Sequence, residues 1–261
     1  MKGKKHISAA KAAICYILCA ALVIGLIVGN YYALKYQNLI SVYFNQSNQK
    51  IISSEGETSD YYTSDFTTED ERVKHLREIG TQIEGEGIVL LKDDNNVLPL
   101  TKGSKISVFG QDSVDPVYGG GGAGSVDSSK AVSLKMAFEK SEFDINKTLW
   151  DFYEKGEGSS YRKQTPDVYG EGSFVVNEVP TAVYTDNVKQ SFANYNDAAV
   201  VVIGRSGGES SDLSTVPLES GYNYLQLDDN EKAMLQMASD NFDKVIVLLN
   251  TQNAMELNFL G

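Results

Sequence analysis

Residues Ala198-Ala-Val-Val-Val-Ile203 form an almost purely apolar, β-branched run that passes without a spacer into Gly-Arg-Ser-Gly-Gly-Glu-Ser-Ser-Asp-Leu213. Such a run suits a strand covered on both faces, the condition of an interior strand in a parallel sheet. Gly204, Gly207 and Gly208 then give the backbone freedom to turn away from the sheet. Ligands of open α/β sheets bind beyond the carboxyl ends of the strands, which puts Glu209 where a ligand belongs. The competing reading is a solvated loop side chain, because ionised groups generally face water.

The rest of the chain repeats the strand–helix alternation. Lys105 to Phe109, Phe143 to Ile145 and Lys244 to Leu249 read as further strands, and Ser129 to Lys140, Asp186 to Tyr195 and Asp229 to Phe242 as helices. Alternating elements of this kind predict a layered α/β fold with a mostly parallel sheet. Thr68 with Glu71 resembles a capping box, and Val73, Leu76, Ile79 and Ile83 share a helical face, so a globular domain is expected from residue 67 onward. Ile88 to Leu91 suits a short strand or a helix end, and Asn95-Asn96 before Pro99 marks a turn. Lys155 to Val183 shows no periodicity and reads as a surface insertion.

Ala12 to Leu34 contains no charged residue and follows Lys2, Lys4, Lys5 and Lys11. A bilayer core needs about 20 apolar residues, and basic residues stay in the cytoplasm. A cleavable signal has a shorter apolar region, about 7 to 15 residues, ending at a small-x-small site. The expected organisation is therefore a cytoplasmic basic tail at 1–11, a transmembrane helix at 12–34 that contacts the lipid bilayer, a polar linker at 35–66, and a domain at 67–261. The main domain would be extracellular in a single-pass cell-membrane protein. Cys15 and Cys19 both lie in the span, which leaves no cysteine for an ectodomain disulfide.

The net charge of -12, with no Lys/Arg cluster after the N-terminus, argues against a nucleic-acid surface and fits a neutral substrate. His6 and His75 are the only histidines, so neither a zinc site nor a Ser-His-Asp triad can be assembled. The Gly119-Gly-Gly-Gly-Ala-Gly-Ser125 loop lies too far beyond Phe109 for a dinucleotide turn and lacks a Gly-Lys-Ser/Thr ending. It remains open as a flexible loop or a substrate-facing one. No cofactor is implied. What remains is carboxylate chemistry, whose natural reaction is glycosyl transfer to water.

Four ordered segments carry a resemblance. Glu86-Gly-Ile-Val-Leu-Leu-Lys-Asp-Asp-Asn-Asn-Val-Leu-Pro-Leu100, Lys105-Ile-Ser-Val-Phe-Gly110 with its glycine loop, Ile203-Gly-Arg-Ser-Gly-Gly-Glu-Ser-Ser-Asp-Leu213, and Phe242-Asp-Lys-Val-Ile-Val-Leu-Leu-Asn250 with Glu256-Leu257 together resemble glycoside hydrolase family 3. These are β-glucosidases, β-xylosidases and related exo-acting enzymes, and the segments match the family's (α/β)6-sandwich domain. The resemblance implies a carbohydrate partner and a division of labour. A TIM-like barrel supplies the aspartate nucleophile, and the sandwich supplies a general acid/base glutamate, here Glu209. It places Gly121, Gly122, Gly124 and Ser125 near the cleft, and Arg205 and Asp212 as loop supports.

Two departures accompany it. Ser210 stands where the family motif has glycine, and no barrel is recognisable in these residues. Some members place the sandwich before the barrel, so the chain reads as an incomplete N-terminal piece of an inverted-order, membrane-anchored glycosidase, inactive alone. The alternative is a non-catalytic surface carbohydrate-binding or assembly remnant of the same fold.

Overall fold

The computed structural model describes residues 9–44, 64–166, 172–209 and 211–260. The basic residues before Ala9, most of the expected linker, and Ser210 lie outside the described residues. The chain divides into two compact units, residues 1–86 and 87–261.

In the first unit, α1 (Ala9–Lys35) is a 27-residue helix with a mean hydropathy of 2.7 in its most apolar window and no buried side chain. At about 1.5 Å per residue, a helix of this length exceeds the roughly 30 Å bilayer core. One such helix near an N-terminus is the form of an anchor and of a signal sequence alike. The next helix, α2, spans Gln37–Tyr43. Helix α3 (Glu69–Gly87) opens on the expected capping box: Glu71 N–H donates to Thr68 Oγ1 at 3.2 Å, and Thr68 N–H donates to Glu71 Oε2 at 3.3 Å. Its stripe of Leu76, Ile79 and Ile83 is exposed, and the division between the two units falls at the end of this helix.

The second unit is built on four parallel strands in the order β2-β1-β3-β4. They are β1 (Lys105–Phe109), β2 (Asp144–Ile145), β3 (Ala198–Arg205) and β4 (Val245–Thr251). All eight residues of β3 are buried. Alternation along the strand sends Ala199, Val201 and Ile203 to one face, against Phe109, Leu149, Tyr153, Phe192, Met234 and Phe242. Ala198, Val200 and Val202 face the opposite way, against Ile106, Val108, Ile145 and Trp150. Two apolar layers on one strand explain its unpatterned apolar sequence.

The helices are fixed by their caps. Asn146 Oδ1 accepts from Leu149 N–H at 3.2 Å to start α5 (Lys147–Lys155), and Thr185 Oγ1 accepts from Val188 N–H at 3.3 Å to start α6 (Asp186–Ser191). Asp228 and Glu231 form a reciprocal capping box at the head of α7 (Asp229–Asn241). The expected helix over 129–140 is shorter: a 3-10 turn at Ser128–Lys130 gives way to extended chain, and α4 (Leu134–Lys140) begins only where Ser133 caps Met136. The expected helix at 186–195 likewise ends in a 3-10 turn, Phe192–Asn194, which seats Phe192 in the core.

Two expectations fail outright, and one helix went unread. Ile88 to Leu91 is neither strand nor helix and is exposed. α5 had no counterpart in the sequence reading, although it supplies Leu149, Trp150, Phe152 and Tyr153 to the core. The segment after Lys155 is not a surface insertion, because Phe174, Val176, Glu178 and Val179 are buried. Irregular chain shows no periodicity even when tertiary contacts bury it.

Leu149 is fully buried against β1 and β3 side chains, whereas Leu90 is exposed. Leu149→Ala is expected to lower the urea-unfolding free energy of the full chain by about 2–5 kcal/mol. Leu90→Ala should stay within about 0.5 kcal/mol.

Candidate active site

In the sheet order, β1 and β3 are central neighbours, and the chain leaves their carboxyl ends through two loops. Just beyond β1, Asp112 Oδ2 accepts from Gly204 N–H at 2.7 Å. A Cβ on Gly204 would sit 2.6 Å from the Asp112 carboxyl carbon, so this approach requires glycine. Asp112 is buried, and Lys163 Nζ lies 3.1 Å from its Oδ1 and 2.9 Å from Asp115 Oδ2. Burial pushes the Asp112 carboxyl up from the ordinary range, and the Lys163 ammonium opposes that rise.

Arg205 closes β3 and is fully buried. Its guanidinium pairs bidentately with Glu231, Nη1 to Oε1 and Nη2 to Oε2, each at 2.7 Å. The remaining donors reach the carbonyls of Tyr224, Gln226 and Gly204 at 2.5, 2.8 and 2.8 Å. The five contacts match the five N–H groups of the side chain. Arg205 therefore holds the point from which the loop departs.

The two glycine-rich loops pair with each other through their backbones. Gly121 N–H donates to Gly207 O at 3.1 Å, Glu209 N–H donates to Gly121 O at 3.3 Å, and Gly121 and Gly208 form a parallel bridge. The 3-10 turn Gly122–Gly124 then meets the Glu209 side chain, whose Oε2 accepts from Ala123 N–H at 2.9 Å. Gly122 has φ +69°, and a Cβ there would come within 2.8 Å of Glu209 Cβ. Glu209 is exposed, and its Oε1 makes no hydrogen bond among the described residues.

The structure thus brings Glu209, Gly121, Gly122, Gly124 and Ser125 together, with Ser125 N–H donating to Gly122 O at 3.1 Å. Asp212 is a different case. It is exposed and makes no hydrogen bond or ion pair among the described residues, so the expected loop support is not seen.

Sequence reading missed the groups that support these loops. Asp112 stands in a Gln-Asp-Ser triplet with no periodic signal, and Glu231 was visible only as a residue early in a helix. Glu178 came from the stretch taken for a surface insertion. It is buried, and its oxygens accept from Gln111 N–H at 3.0 Å and Val179 N–H at 2.8 Å. Burial drives its carboxyl well above the ordinary 4.5, with the two N–H donors opposing and Asp112 and Glu231 adding to the rise. Among the described residues no group of three or more His, Cys, Asp or Glu could hold a metal.

The second unit is thus a parallel α/β layer that carries an exposed carboxylate on a loop at its carboxyl edge. Residues 88–260 match the glycosyl hydrolase family 3 C-terminal domain. The chain belongs to glycoside hydrolase family 3. It is 32% identical over 188 residues to a β-glucosidase of Ruminococcus albus, matching 70% of this chain and 18% of that protein. It is 28% identical over 200 residues to β-glucosidase A of Butyrivibrio fibrisolvens, with 70% and 23% covered.

Solved structures agree. A β-glucosidase of Paenibacillus barengoltzii superposes with a TM-score of 0.56 at 27% identity, over 70% of this chain and 19% of that one. β-Glucosidase 3B of Thermotoga neapolitana in complex with glucose gives 0.57 at 26% identity, over 71% and 25%. The chain therefore spans only 18% and 23% of the two curated relatives.

Two expectations follow from the buried charges. Glu231→Ala strands Arg205 without its partner and should cost about 3–5 kcal/mol in urea unfolding. Arg205→Met combined with Glu231→Met should recover most of that loss. For Glu178, the folded protein keeps a proton that the unfolded chain has already released above about pH 4.5. Its contribution is therefore complete below that pH and is lost as pH rises toward the folded-state value. The unfolding free energy of Glu178→Gln should lack this decline when wild type and variant are compared across a pH series.

Proposed function

We propose that this domain supplies the general acid/base of a retaining β-glucosidase, with Glu209 in that role and the nucleophile on a barrel domain outside these residues. The observation that carries it is the presentation of Glu209. Its backbone is zipped to the glycine loop, one carboxylate oxygen is held by Ala123 N–H, and the other is open. A group built to act across a domain boundary needs this combination of fixed backbone and accessible oxygen.

In the first step, Glu209 as the acid donates its proton to the glycosidic oxygen. The bond from that oxygen to the anomeric carbon breaks as the partner carboxylate, about 5–5.5 Å away, bonds to the same carbon. In the second step, Glu209 as the carboxylate takes a proton from water, and the water oxygen displaces the enzyme carboxylate from the sugar. The substrate class is a β-glucoside, in keeping with relatives named β-glucosidases and a neighbour in complex with glucose. A neutral sugar also suits a chain of net charge -12. The helix α1 would tether the domain to a membrane, with its preceding lysines in the cytoplasm and the sandwich outside.

The chain alone is expected to release no p-nitrophenol from p-nitrophenyl β-glucoside, and turnover lost on Glu209→Ala would sink the divided site. In a fusion to a nucleophile-bearing barrel of the family, Glu209→Ala should lower kcat about 10²–10⁴-fold. Added azide should restore turnover as glucosyl azide. An unaffected kcat would remove Glu209 from the mechanism.

A further inference from the structure

The loops that carry Glu209 belong to no helix or strand that would fix their position, yet three side-chain amides grip their backbone from the end of β4. Gln252 N–H donates to Arg205 O at 3.0 Å, which extends the β3–β4 ladder past its last paired residues. From that fixed point the Gln252 side chain reaches the Glu209 loop, where its Oε1 accepts from Gly207 N–H at 2.7 Å. The same amide lies against the second loop, since a Cβ on Gly120 would sit 3.3 Å from Gln252 Oε1. Asn253 Nδ2 donates to Ser206 O at 3.2 Å. Asn250 takes hold of Val117, accepting from its N–H at 2.5 Å and donating to its carbonyl at 3.1 Å.

All three amides bond to main chain, and none of them touches the Glu209 carboxylate. Val117 leads into the glycine loop, and Ser206 and Gly207 lead into the Glu209 loop, so one strand end holds both partners of the backbone zipper. The chemistry of the grip is selective. A carboxamide both donates and accepts but carries no charge, so it can fix a backbone without adding a charge near an acid/base group. A lysine, arginine or aspartate in the same place would favour one protonation state of a nearby carboxyl over the other. Placement matters because a misplacement of about 1 Å from a change remote from the chemistry can cost about 10²-fold in rate.

We propose that Gln252, flanked by Asn250 and Asn253, is a positioning residue that sets where the Glu209 loop stands relative to the sheet. The proposal rests on the acid/base reading of Glu209 and adds to it a support that lies on a different strand. Gln252→Leu removes the acceptor at similar size, whereas Gln252→Glu keeps an acceptor oxygen for Gly207 N–H.

Amide hydrogen exchange on the purified full chain reads the grip directly. In Gln252→Leu, the Gly207 and Glu209 amides should exchange up to about tenfold faster, the scale of one lost hydrogen bond. Protection of Val200 to Val202 should be unchanged, and Gln252→Glu should exchange as wild type at Gly207. Wild-type exchange at Gly207 and Glu209 in the leucine variant would overturn the proposal, and so would equal loosening of β3, which marks a general loss of stability.

In the barrel fusion, Gln252→Leu should lower kcat and leave KM unchanged, whereas Gln252→Glu should keep the loop in place but shift the pH profile of kcat, because it adds a negative charge near the acid/base group. If Glu209→Ala abolishes turnover while Gln252→Leu leaves kcat intact, positioning fails and the acid/base reading stands. If Glu209→Ala turns over normally while Gln252→Leu still loosens the loop, the acid/base reading is the one that fails.

Discussion

The bidentate pair of Arg205 and Glu231 is the contact on which the arrangement of this domain turns. Its side chains are essentially inaccessible, and the two 2.7 Å bonds join the last residue of the interior strand to the first turn of α7. A buried ion pair adds little net stability, because desolvation costs offset the attraction. What it adds is geometry. Any register or packing that moved Arg205 from Glu231 would leave a buried charge uncompensated, so competing arrangements of this strand end are excluded. The carbonyls of Gly204, Tyr224 and Gln226 complete the donor set, which draws the chain between β3 and α7 over the guanidinium. Glu231 also caps α7, through its bond to Asp228 N–H at 3.0 Å, so one carboxylate orients a helix and anchors a strand.

This network explains which parts of the molecule were legible in the sequence. β3 was readable because both its faces are apolar, and that condition leaves a continuous β-branched run. α7 was readable from the core spacing of Met234, Leu235 and Ala238. The loops were readable from their glycines, and Glu209 from its place just after a strand. Three kinds of feature left no such mark. α5 has nine residues, and its helical character comes from packing Leu149, Phe152 and Tyr153 beneath the sheet rather than from a long periodic pattern. Glu178 sits in irregular chain, whose burial is set by distant contacts. Asp112, Glu231 and Gln252 are polar residues whose importance lies in the single backbone or side-chain group each one meets, and spacing along a chain carries no information about that.

The buried charges also show how an acidic chain can hold carboxylates inside. Asp112 has Lys163 beside it, Glu231 has Arg205, and Glu178 has only backbone donors. Of the four buried carboxylates among the described residues, Asp112 and Glu231 are matched by cations, Asp228 caps α7, and burial raises the Glu178 carboxyl well above its ordinary range. The layout places these groups under the strand ends while Glu209 stays at the surface, so the carboxyls that shape the domain are separate from the one assigned to chemistry.

The separation bears on why an acid/base residue would sit on a sandwich at all. A side chain acting on a sugar held elsewhere must be positioned by its own domain before the two domains meet, since ordering it at the moment of reaction would cost conformational entropy. Here the bonds between Gly121, Gly207 and Glu209 join the two loops, the Asp112 carboxylate fixes their root at Gly204, and the amide of Gln252 holds Gly207. Only the carboxylate is left with an unoccupied oxygen. Glycine is what permits the approach, because a side chain at Gly122 or Gly204 would collide with the carboxyl-bearing residue it faces. The glycine richness of the two loops, which alone could mark flexible chain, here marks close approaches at Gly119, Gly120 and Gly122.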